Sequence, residues 1–268
     1  MNRNALPDMH DMPDMIVVYG SLRSGTTMLR LMLDGHPQLN CPGESDFVFD
    51  HLEIEAGGKI SLDLGALRRE RIFQAALGDI EDQGTPEATL AHMLRQLAAK
   101  GPKGSTLVLM LHRGISKLRQ LFADMPVIHM LRDPRDVARS GISLGWAGNV
   151  YYGANHWIET EGEWDRTFGQ ARDVPGVFDL KHETLVEAPE RTLRALCDFA
   201  GLEWTPAMLS YDGRSTYDKP DTGLLAQWKR KLTPRQVGLI EAKIGAMLTA
   251  RGYAAQARIN AKHIKYLK

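Results

Sequence analysis

A short apolar run near the start of the chain is followed by a loop that two glycines bracket. Residues 16–27 read Ile-Val-Val-Tyr-Gly-Ser-Leu-Arg-Ser-Gly-Thr-Thr, and Gly20 and Gly25 have the spacing of a phosphate-binding P-loop. Backbone N–H groups at a strand-to-helix turn form a concavity that binds anions, and the helix N-terminus adds about half a positive charge. Polar donors inside the loop favour this interpretation over an ordinary glycine-rich turn: Arg23, Thr26 and Thr27.

The loop departs from that of an NTP hydrolase at one position. Such an enzyme has a lysine directly after the second glycine, and that lysine reaches the β- and γ-phosphates. Here the position is occupied by Thr26, and the cation inside the loop is Arg23. The pattern therefore disfavours ATP and favours a donor that carries a different anion after its first phosphate.

A second anion motif follows a later apolar run. Residues 127–143 read Val-Ile-His-Met-Leu-Arg-Asp-Pro-Arg-Asp-Val-Ala-Arg-Ser-Gly-Ile-Ser, which predicts a buried strand and then a helix that begins at Pro134. In an open parallel sheet, ligands bind beyond the carboxyl ends of the strands, so Arg132 and Ser140 are expected at the same edge as the first loop. Taken alone, Arg132 fits a surface ion pair with a neighbouring aspartate equally well. Together the two motifs favour a ligand with two phosphates, such as an adenosine 3′,5′-bisphosphate core.

Short apolar runs alternate with helical patterns, which predicts an α/β fold with a central, mostly parallel sheet flanked by helices. We predict strands at 16–19, 107–111, 127–131 and 177–180, and helices from about 26 to 34, from 86 to about 100 and from 234 to about 251. Stretches 41–61 and 143–170 resist assignment. The second holds five aromatic residues, which belong either to the core or to a loop that lines the substrate: Trp146, Tyr151, Tyr152, Trp157 and Trp164.

The composition bounds the class of protein. The chain has 268 residues with 33 Lys+Arg and 33 Asp+Glu, so no overall basic field attracts nucleic acid. Cys41 and Cys197 provide neither a disulfide framework nor metal-ligand spacing, and they favour free thiols in a reducing, cytoplasmic location. No apolar run approaches the ~20 residues that span a membrane. We expect one domain over residues 15–268 after a disordered lead-in, residues 1–14, which lacks the apolar core of a signal peptide.

With both motifs in view, the chain resembles the sulfotransferases that use 3′-phosphoadenylyl sulfate (PAPS). Residues 23–27 are similar to their 5′-phosphosulfate loop, and residues 132–140 to their 3′-phosphate motif. The stretch 23–44 is particularly similar to the tyrosylprotein sulfotransferases, which share Arg-Ser-Gly-Thr-Thr, a helix ending Leu-Asp-x-His-Pro, a cysteine and a Gly-Glu pair. The resemblance implies a single P-loop nucleotide-kinase-like domain, PAPS as co-substrate and no metal.

The resemblance also implies roles for single residues. Arg23 is expected to stabilise the transferring sulfuryl group. Glu44 matches a proposed general base of the tyrosylprotein relatives, and its rival His36 fits helix capping better. Lys229 and Arg230 either close over the nucleotide or form an exposed basic turn. The implied contacts to the two phosphate-bearing ends of the nucleotide are Arg23, Ser24, Gly25, Thr26, Thr27, Arg132 and Ser140.

The chain departs from the family pattern at two places. The family often has a lysine shortly before the 3′-phosphate strand, where it helps the leaving group. In this chain His112, Arg113 and Lys117 could assist the leaving group instead, and we rank Arg113 first. A Tyr-Glu pair of the family is replaced by His182-Glu183.

The sequence leads to one functional expectation and two alternatives. We expect transfer of a sulfuryl group from PAPS to a hydroxyl of a carbohydrate, lipid or small molecule. The protein-sulfating relatives are membrane-anchored and this chain shows no anchor, which disfavours a tyrosine peptide. The alternatives are a P-loop kinase of small molecules and a non-catalytic nucleotide-binding module, and homodimer formation is left open.

Overall fold

A five-stranded parallel sheet forms the centre of the computed structural model, which describes residues 12–145, 147–169, 174–211 and 219–256. The strands, in chain order, are β1 (Met15–Tyr19), β2 (Leu39–Asn40), β3 (Leu52–Ile54), β4 (Ile60–Leu62), β5 (Thr106–Leu111), β6 (Val127–Leu131) and β7 (Val177–Lys181). β3 and β4 form a separate antiparallel hairpin, and the other five follow the order β2-β5-β1-β6-β7. Because β1 lies in the middle, the loop that follows it opens at the centre of the carboxyl edge.

Helices connect the strands and cover the sheet. They are α1 (Thr26–Leu33), α2 (Phe47–Asp50), α3 (Leu64–Leu67), α4 (Arg71–Ala76), α5 (Pro86–Ala98), α6 (Ile115–Leu121), α7 (Pro134–Ser143), α8 (Val150–Gly153), α9 (Asn155–Phe168), α10 (His182–Glu187), α11 (Pro189–Ala200), α12 (Trp228–Lys231), α13 (Pro234–Ile244) and α14 (Ala246–Ala250). Several begin at the signals that the sequence shows. Thr85 caps α5 by accepting from the Ala88 N–H, and Thr233 forms a capping box with Gln236 at α13.

Both faces of the sheet are buried, which explains why its strands are apolar runs without alternation. One face carries Val17 and Leu109 and packs against side chains of α5, α6 and α9. The other carries Val18 and Met110 and packs against α1 and α11. A third apolar cluster joins α7, α8, α9, α13 and α14 beside the sheet. This packing fixes the helices against the sheet, and it thereby fixes the positions of the carboxyl ends of the strands.

The predicted α/β fold with a parallel sheet is confirmed, and the four predicted strands differ from the observed ones by at most one residue at either end. The edge strand β2 was not predicted, since two residues carry no pattern. The predicted C-terminal helix breaks at Gly245, whose φ of 63° ends α13 before α14 begins. The unassigned stretch 41–61 contains α2, β3 and the first two residues of β4.

The aromatic-rich stretch 143–170 forms α8 and α9. Trp157 and Trp164 are buried in the core, whereas Tyr152 is 54% exposed. Trp146 lies outside the described residues, as does most of the lead-in of 1–14. The lead-in and the single domain over 15–268 stay predictions.

Candidate active site

Three strand ends lie side by side at the carboxyl edge of the sheet. β1 pairs with β5 on one side and with β6 on the other. Gly20, the first residue of the P-loop, donates its N–H to the carbonyl of Leu111 at 3.1 Å. His112 follows β5 and Arg132 follows β6, so these two residues flank the P-loop.

The P-loop has a left-handed backbone at one residue that is not glycine. Arg23 has a φ of 70°, and Gly25, which precedes the first residue of α1, has a φ of 91°. A left-handed conformation costs an L-residue about 1–2 kcal/mol, so the surroundings must hold it in place. The guanidinium of Arg132 contributes to this, because its Nη1 donates to the main-chain oxygen of Arg23 at 2.9 Å. Thr26 and Thr27 then begin α1, whose first N–H groups have no partner within the helix.

A side-chain hydrogen bond also joins the two anion motifs. Arg23 donates from Nε to Oγ of Ser140 in α7 at 3.0 Å. Arg132 and Ser140 therefore both contact the same loop residue, one through its carbonyl and one through its side chain. The two motifs that the sequence places 105 or more residues apart form one continuous site.

Buried donors without a hydrogen-bond partner lie at this junction. Within the described part of the chain they include Ser24 Oγ, Arg132 Nε and Arg139 Nε. Burial lowers the pKa of Arg132. The negative charges of Asp136 and Glu183 counteract this effect, whereas the positive charges of Arg139 and Arg23 lower the pKa of Arg132 further. An unsatisfied buried donor costs roughly 1–3 kcal/mol, so a group that bonded these donors would stabilise the site. Sequence analysis did not single out Arg139, although its position directly before Ser140 in the second anion motif was a signal.

Two glycines of the P-loop sit where no side chain fits. A Cβ added to Gly20 would lie 2.4 Å from the carbonyl oxygen of Met130. A Cβ added to Gly25 would lie 2.3 Å from Nδ1 of His182. The loop is therefore packed tightly between β6 and the start of α10, and the glycines are needed for this close approach as well as for the turn.

His182, the residue that replaces the family's tyrosine, forms one wall of the loop. It is 9% exposed, and its Nδ1 is buried with no hydrogen-bond partner in the described residues. Burial, with a further contribution from the Arg132 charge, lowers the pKa of His182 to about 3. The imidazole is therefore neutral at physiological pH.

Hydrogen bonds to α9 fix the chain at the carboxyl ends of β1, β5 and β6. Trp157 donates from Nε1 to the carbonyl of Arg132 at 3.1 Å, and Thr160 donates from Oγ1 to the carbonyl of His112 at 2.9 Å. Tyr19 at the end of β1 donates its hydroxyl to the carbonyl of Thr160 at 2.9 Å. One helix thus positions all three strand ends. Sequence analysis missed this role, because the aromatic density of the segment alone does not show what its side chains touch.

Glu44 and His112 face each other beside the P-loop. Glu44 forms an isolated parallel bridge with Met110, which aligns it with the end of β5, and its side chain is 50% exposed. The Nδ1 of buried His112 lies 2.7 Å from the Gly20 carbonyl, which can only accept, so Nδ1 carries a proton. Its Nε2 lies 4.0 Å from Oε1 of Glu44. This gap is too long for a direct hydrogen bond.

The other two residues considered for leaving-group assistance are engaged elsewhere. Arg113 pairs with Asp50 through two bonds of 2.6 and 2.5 Å, and Asp46 lies 3.5 Å away. Lys117 contacts the carbonyl of Phe49 and the carboxylate of Glu53. The structure brings His112 to the P-loop and directs the guanidinium of Arg113 to the acidic side chains of the α2 segment. The role assigned to Arg113 stays a prediction.

His36, the rival general base, has both ring nitrogens in hydrogen bonds. Nδ1 accepts from the N–H of Gln38 at 3.1 Å, and Nε2 lies 2.8 Å from the carbonyl of Glu203. The side chain is only 3% exposed. The contacts are those of a residue that stabilises the end of α1.

The basic segment around Lys229 lies against α7. The N–H of Trp228 donates to Asp136 at 2.8 Å, and the Trp228 ring packs against the guanidinium of Arg135 at 3.8 Å. Arg230 donates to the carbonyl of Gly223, and Lys229 lies 5.6 Å from the Trp228 ring. The helix that carries Ser140 therefore also anchors this segment. Contact of Lys229 and Arg230 with the nucleotide stays a prediction.

The described part of the chain offers neither a metal-binding cluster nor a membrane-spanning helix. No group of three or more His, Cys, Asp or Glu side chains in this part of the chain could hold a metal ion. No helix there has the length and apolar character needed to cross a membrane.

A P-loop on the central strand, joined to an arginine–serine motif on the neighbouring strand, defines a nucleotide-binding α/β protein. The chain belongs to the sulfotransferase family, whose model matches residues 13–206. It is therefore an enzyme of the sulfotransferase class, which decides against the kinase and the non-catalytic module.

Curated relatives include several protein-tyrosine sulfotransferases. A putative one from Caenorhabditis briggsae is 25% identical over 203 residues, which cover 74% of this chain and 69% of that protein. Protein-tyrosine sulfotransferase 1 of Homo sapiens is 26% identical over 268 residues, covering 91% of this chain and 70% of that protein. The match to protein-tyrosine sulfotransferase 2 of Gallus gallus, at 27% identity, covers 75% of this chain and 54% of the relative.

Solved structures share the fold. The sulfotransferase domain from the curacin biosynthetic pathway superimposes with a TM-score of 0.64 at 22% identity, covering 91% of this chain and 99% of that domain. The sulfotransferase domain of the Synechococcus PCC 7002 olefin synthase gives 0.59 at 22% identity, with coverage of 87% and 95%.

Proposed function

We propose that this enzyme transfers the sulfuryl group of PAPS to the phenolic hydroxyl of a protein tyrosine. The assignment of PAPS as the donor rests on one observation, which is the junction of the two anion motifs. Arg23 donates to Ser140, and Arg132 donates to the Arg23 carbonyl. PAPS has an anionic group at both its 5′ and its 3′ position, and a site with two joined anion-binding parts fits such a ligand.

The donor set supports the same assignment. Ser24 Oγ and Arg132 Nε are buried without a partner in the described residues, one in each motif. Thr26 stands where an ATP-binding loop has lysine. The site therefore offers hydroxyl, guanidinium and helix N-terminal donors to the nucleotide, and these groups can neutralise a phosphosulfate.

In the proposed reaction the acceptor oxygen attacks sulfur while the bond from sulfur to the 5′-phosphate oxygen breaks. The products are the sulfated acceptor and adenosine 3′,5′-bisphosphate, and the acceptor proton passes to Glu44. Charge develops on the equatorial oxygens and on the leaving oxygen, where preorganised donors lower the barrier. Arg23 is the cation of the P-loop and is assigned to this charge.

We assign His112 as the residue that assists Glu44 in accepting the proton of the attacking hydroxyl. With Nδ1 bonded to Gly20, its Nε2 faces the Glu44 carboxylate across 4.0 Å. A hydroxyl oxygen within reach of both atoms can give its proton to either one. His112 is then a second acceptor for the proton beside Glu44.

The names of the curated relatives change our proposal for the acceptor. They are protein-tyrosine sulfotransferases, so we propose a protein tyrosine in place of the carbohydrate, lipid or small molecule. A phenol has a pKa of about 10, so it gives up its proton more readily than an aliphatic alcohol. The half-exposed carboxylate of Glu44 is also accessible to a side chain that a polypeptide presents from solvent.

One experiment tests the donor and the acceptor together. Purified protein is incubated with PAPS labelled in its sulfate, with peptides that carry one Tyr, the same peptides with Phe or Ser at that position, and a panel of sugars and lipids. Label on the Tyr peptide alone supports the full proposal. Label on a sugar, lipid or Ser peptide refutes the tyrosine acceptor and keeps the donor. Absence of label from every acceptor, together with no binding of adenosine 3′,5′-bisphosphate, refutes PAPS as the donor.

The cytoplasmic location remains a proposal. Cys41 and Cys197 are both buried free thiols, which a reducing compartment preserves. Fractionation of cells that express the chain, with an antibody against it, tests the proposal directly.

A further inference from the structure

We propose that a cavity beside the edge strand β7 binds a small amphipathic anion, which is an apolar chain or ring system that carries one carboxylate or a similar acidic group. The cavity has a volume of about 750 Å³. Pockets for small molecules measure roughly 300–1,000 Å³ and combine apolar walls with a few polar groups that fix the ligand. Binding at this place would be a function beyond sulfuryl transfer.

The cavity is separate from the P-loop and from the assigned base. In the strand order β2-β5-β1-β6-β7, it lies beside β7, whereas Glu44 and His112 lie at the end of β5, on the other side of the central strand. Its walls come from β6, β7, α9, α10, α11 and the end of α14. No residue of the P-loop, residues 20–27, lines it. The cavity therefore offers room to a ligand other than the nucleotide or the acceptor.

Apolar side chains from both faces of the sheet form the walls. Trp164 of α9 lies on one face and stacks on His129 with a ring distance of 3.7 Å. Phe178 and Leu180 pack on the other face, where Ala195 of α11 also lines the cavity. The cavity thus follows the outer edge of β7, which pairs with no further strand in the described residues. An apolar body that displaces water from these walls gains the hydrophobic free energy of burial.

Two cations of the cavity lack an acidic partner. Lys181 and Arg191 line it, and neither forms an ion pair within the described part of the chain. Lys181 lies at 3.5 Å from the carbonyl of Gly252. The carboxylate that lines the cavity, Asp179, is already bonded to Nδ1 of His129 at 2.9 Å. An acidic ligand group would therefore meet two unpaired cations, whereas a basic one would meet a carboxylate that has a partner.

The other charged groups around the cavity balance one another. Arg251, directly after α14, donates to Glu161 at 2.5 Å and to Asp165 at 2.6 Å. His129 lies 3.3 Å from the same Glu161 carboxylate. These groups are satisfied without a ligand, so the positive charge that remains for recognition is that of the two unpaired cations. Charge complementarity thus selects an anion, and the apolar walls select an amphipathic one.

Dodecanoate is the probe, because it joins one carboxylate to an apolar chain, and dodecylammonium is its cationic counterpart. Calorimetry measures the affinity of the full chain for each at one salt concentration. We expect dodecylammonium to bind at least about 10-fold more weakly than dodecanoate. Arg191→Glu reverses a charge and Ala195→Trp fills the cavity, and each should weaken dodecanoate binding by about 10-fold or more. Arg194→Glu is the matched control, since this exposed arginine of the same helix pairs with Glu190 and does not line the cavity.

Three results would overturn the proposal. The first is wild-type affinity for dodecanoate in both cavity variants, and the second is an equal loss in Arg194→Glu. The third is equal binding of dodecylammonium, which would mean unspecific apolar adsorption. Saturating adenosine 3′,5′-bisphosphate should leave the affinity for dodecanoate within about twofold, and competition between the two would assign the cavity to the nucleotide instead. Melting temperatures without ligand show whether each variant is folded. Lys181→Met takes the place of a variant that is not, with the same expected loss.

Discussion

Arg23 and Ser140 are hydrogen-bonded at 3.0 Å across 117 residues of sequence. The bond joins the P-loop, which follows the central strand β1, to the second turn of α7, which follows the neighbouring strand β6. It makes the conformation of the P-loop and the position of the second anion motif, residues 132–140, interdependent. Variants of either residue should therefore be measured for both nucleotide affinity and turnover.

We predict that adenosine 3′,5′-bisphosphate stabilises the protein without a metal ion. A ligand at a hundredfold excess over its Kd stabilises by about 2.7 kcal/mol, because it binds only the folded state. The measurement is the melting temperature in EDTA with this ligand, compared with ATP and Mg²⁺. A larger rise with ATP and Mg²⁺, or a strict need for Mg²⁺, would contradict the prediction.

Arg132→Ala should weaken the binding of adenosine 3′,5′-bisphosphate by roughly 10- to 100-fold, as expected for loss of a charge-assisted hydrogen bond. Ser140→Ala should weaken it less, because its hydroxyl is neutral. Adenosine 5′-phosphosulfate lacks the 3′-phosphate, so Arg132→Ala should affect it less, with a small residual loss from the freed Arg23 carbonyl. Calorimetry with both ligands provides the measurement, and Arg235→Ala, on the exposed start of α13, is the control. Equal losses for both ligands would show that Arg132 does not read the 3′-phosphate.

Arg23→Lys should lower kcat more than it raises the KM for PAPS. Lysine keeps the charge but loses the planar guanidinium that bonds Ser140 and that we assign to the transferring group. Steady-state kinetics with one acceptor separate the two parameters. A change in KM alone would mean that Arg23 binds substrate and transition state equally, against its assigned role.

Glu44→Gln should lower the rate by about 10²–10⁴-fold, the usual contribution of a positioned base, and leave nucleotide affinity nearly unchanged. His112→Asn keeps a donor for the Gly20 carbonyl but removes Nε2, so it should also lower the rate. His112→Gln, which places a polar atom near Nε2, should lose less. Rates and pH–rate profiles of these variants, with His36→Gln as control, provide the measurement. If Glu44→Gln keeps its activity while His36→Gln loses it, the assigned base is wrong.

His129 should contribute a pH-dependent part of the folding stability. Burial lowers its pKa, but Glu161 at 3.3 Å and Asp179 at 2.9 Å more than offset this and raise the pKa above its usual value. A raised pKa in the folded state stabilises the protein below the unfolded value of about 6.5, and the contribution is lost as pH rises through the folded pKa. The difference in unfolding free energy between wild type and His129→Gln should therefore shrink from about pH 6 toward pH 9. Urea unfolding at several pH values tests this, and a difference that grows with pH would contradict it.

The sequence alone determined the strand-loop-helix units and their chemistry. Val127–Leu131 is an apolar run followed by arginine and a proline at the first helical position, and such local patterns are set by burial and by backbone geometry. The P-loop could be recognised for the same reason, because its glycines, hydroxyls and arginine act through neighbouring backbone groups. These are short-range effects, so the residues that cause them are close together in the chain.

Tertiary structure alone decided which side chains meet. Placing β1 between β5 and β6 brought His112 and Arg132 to opposite sides of the loop, and nothing local specifies that order. The same packing set Arg113 against Asp50 and set His182 against Gly25. Contacts of this kind depend on how helices and strands far apart in sequence pack together. A single sequence shows the residues that can do the chemistry, and the packing of α9, α10 and the sheet decides which of them share a site.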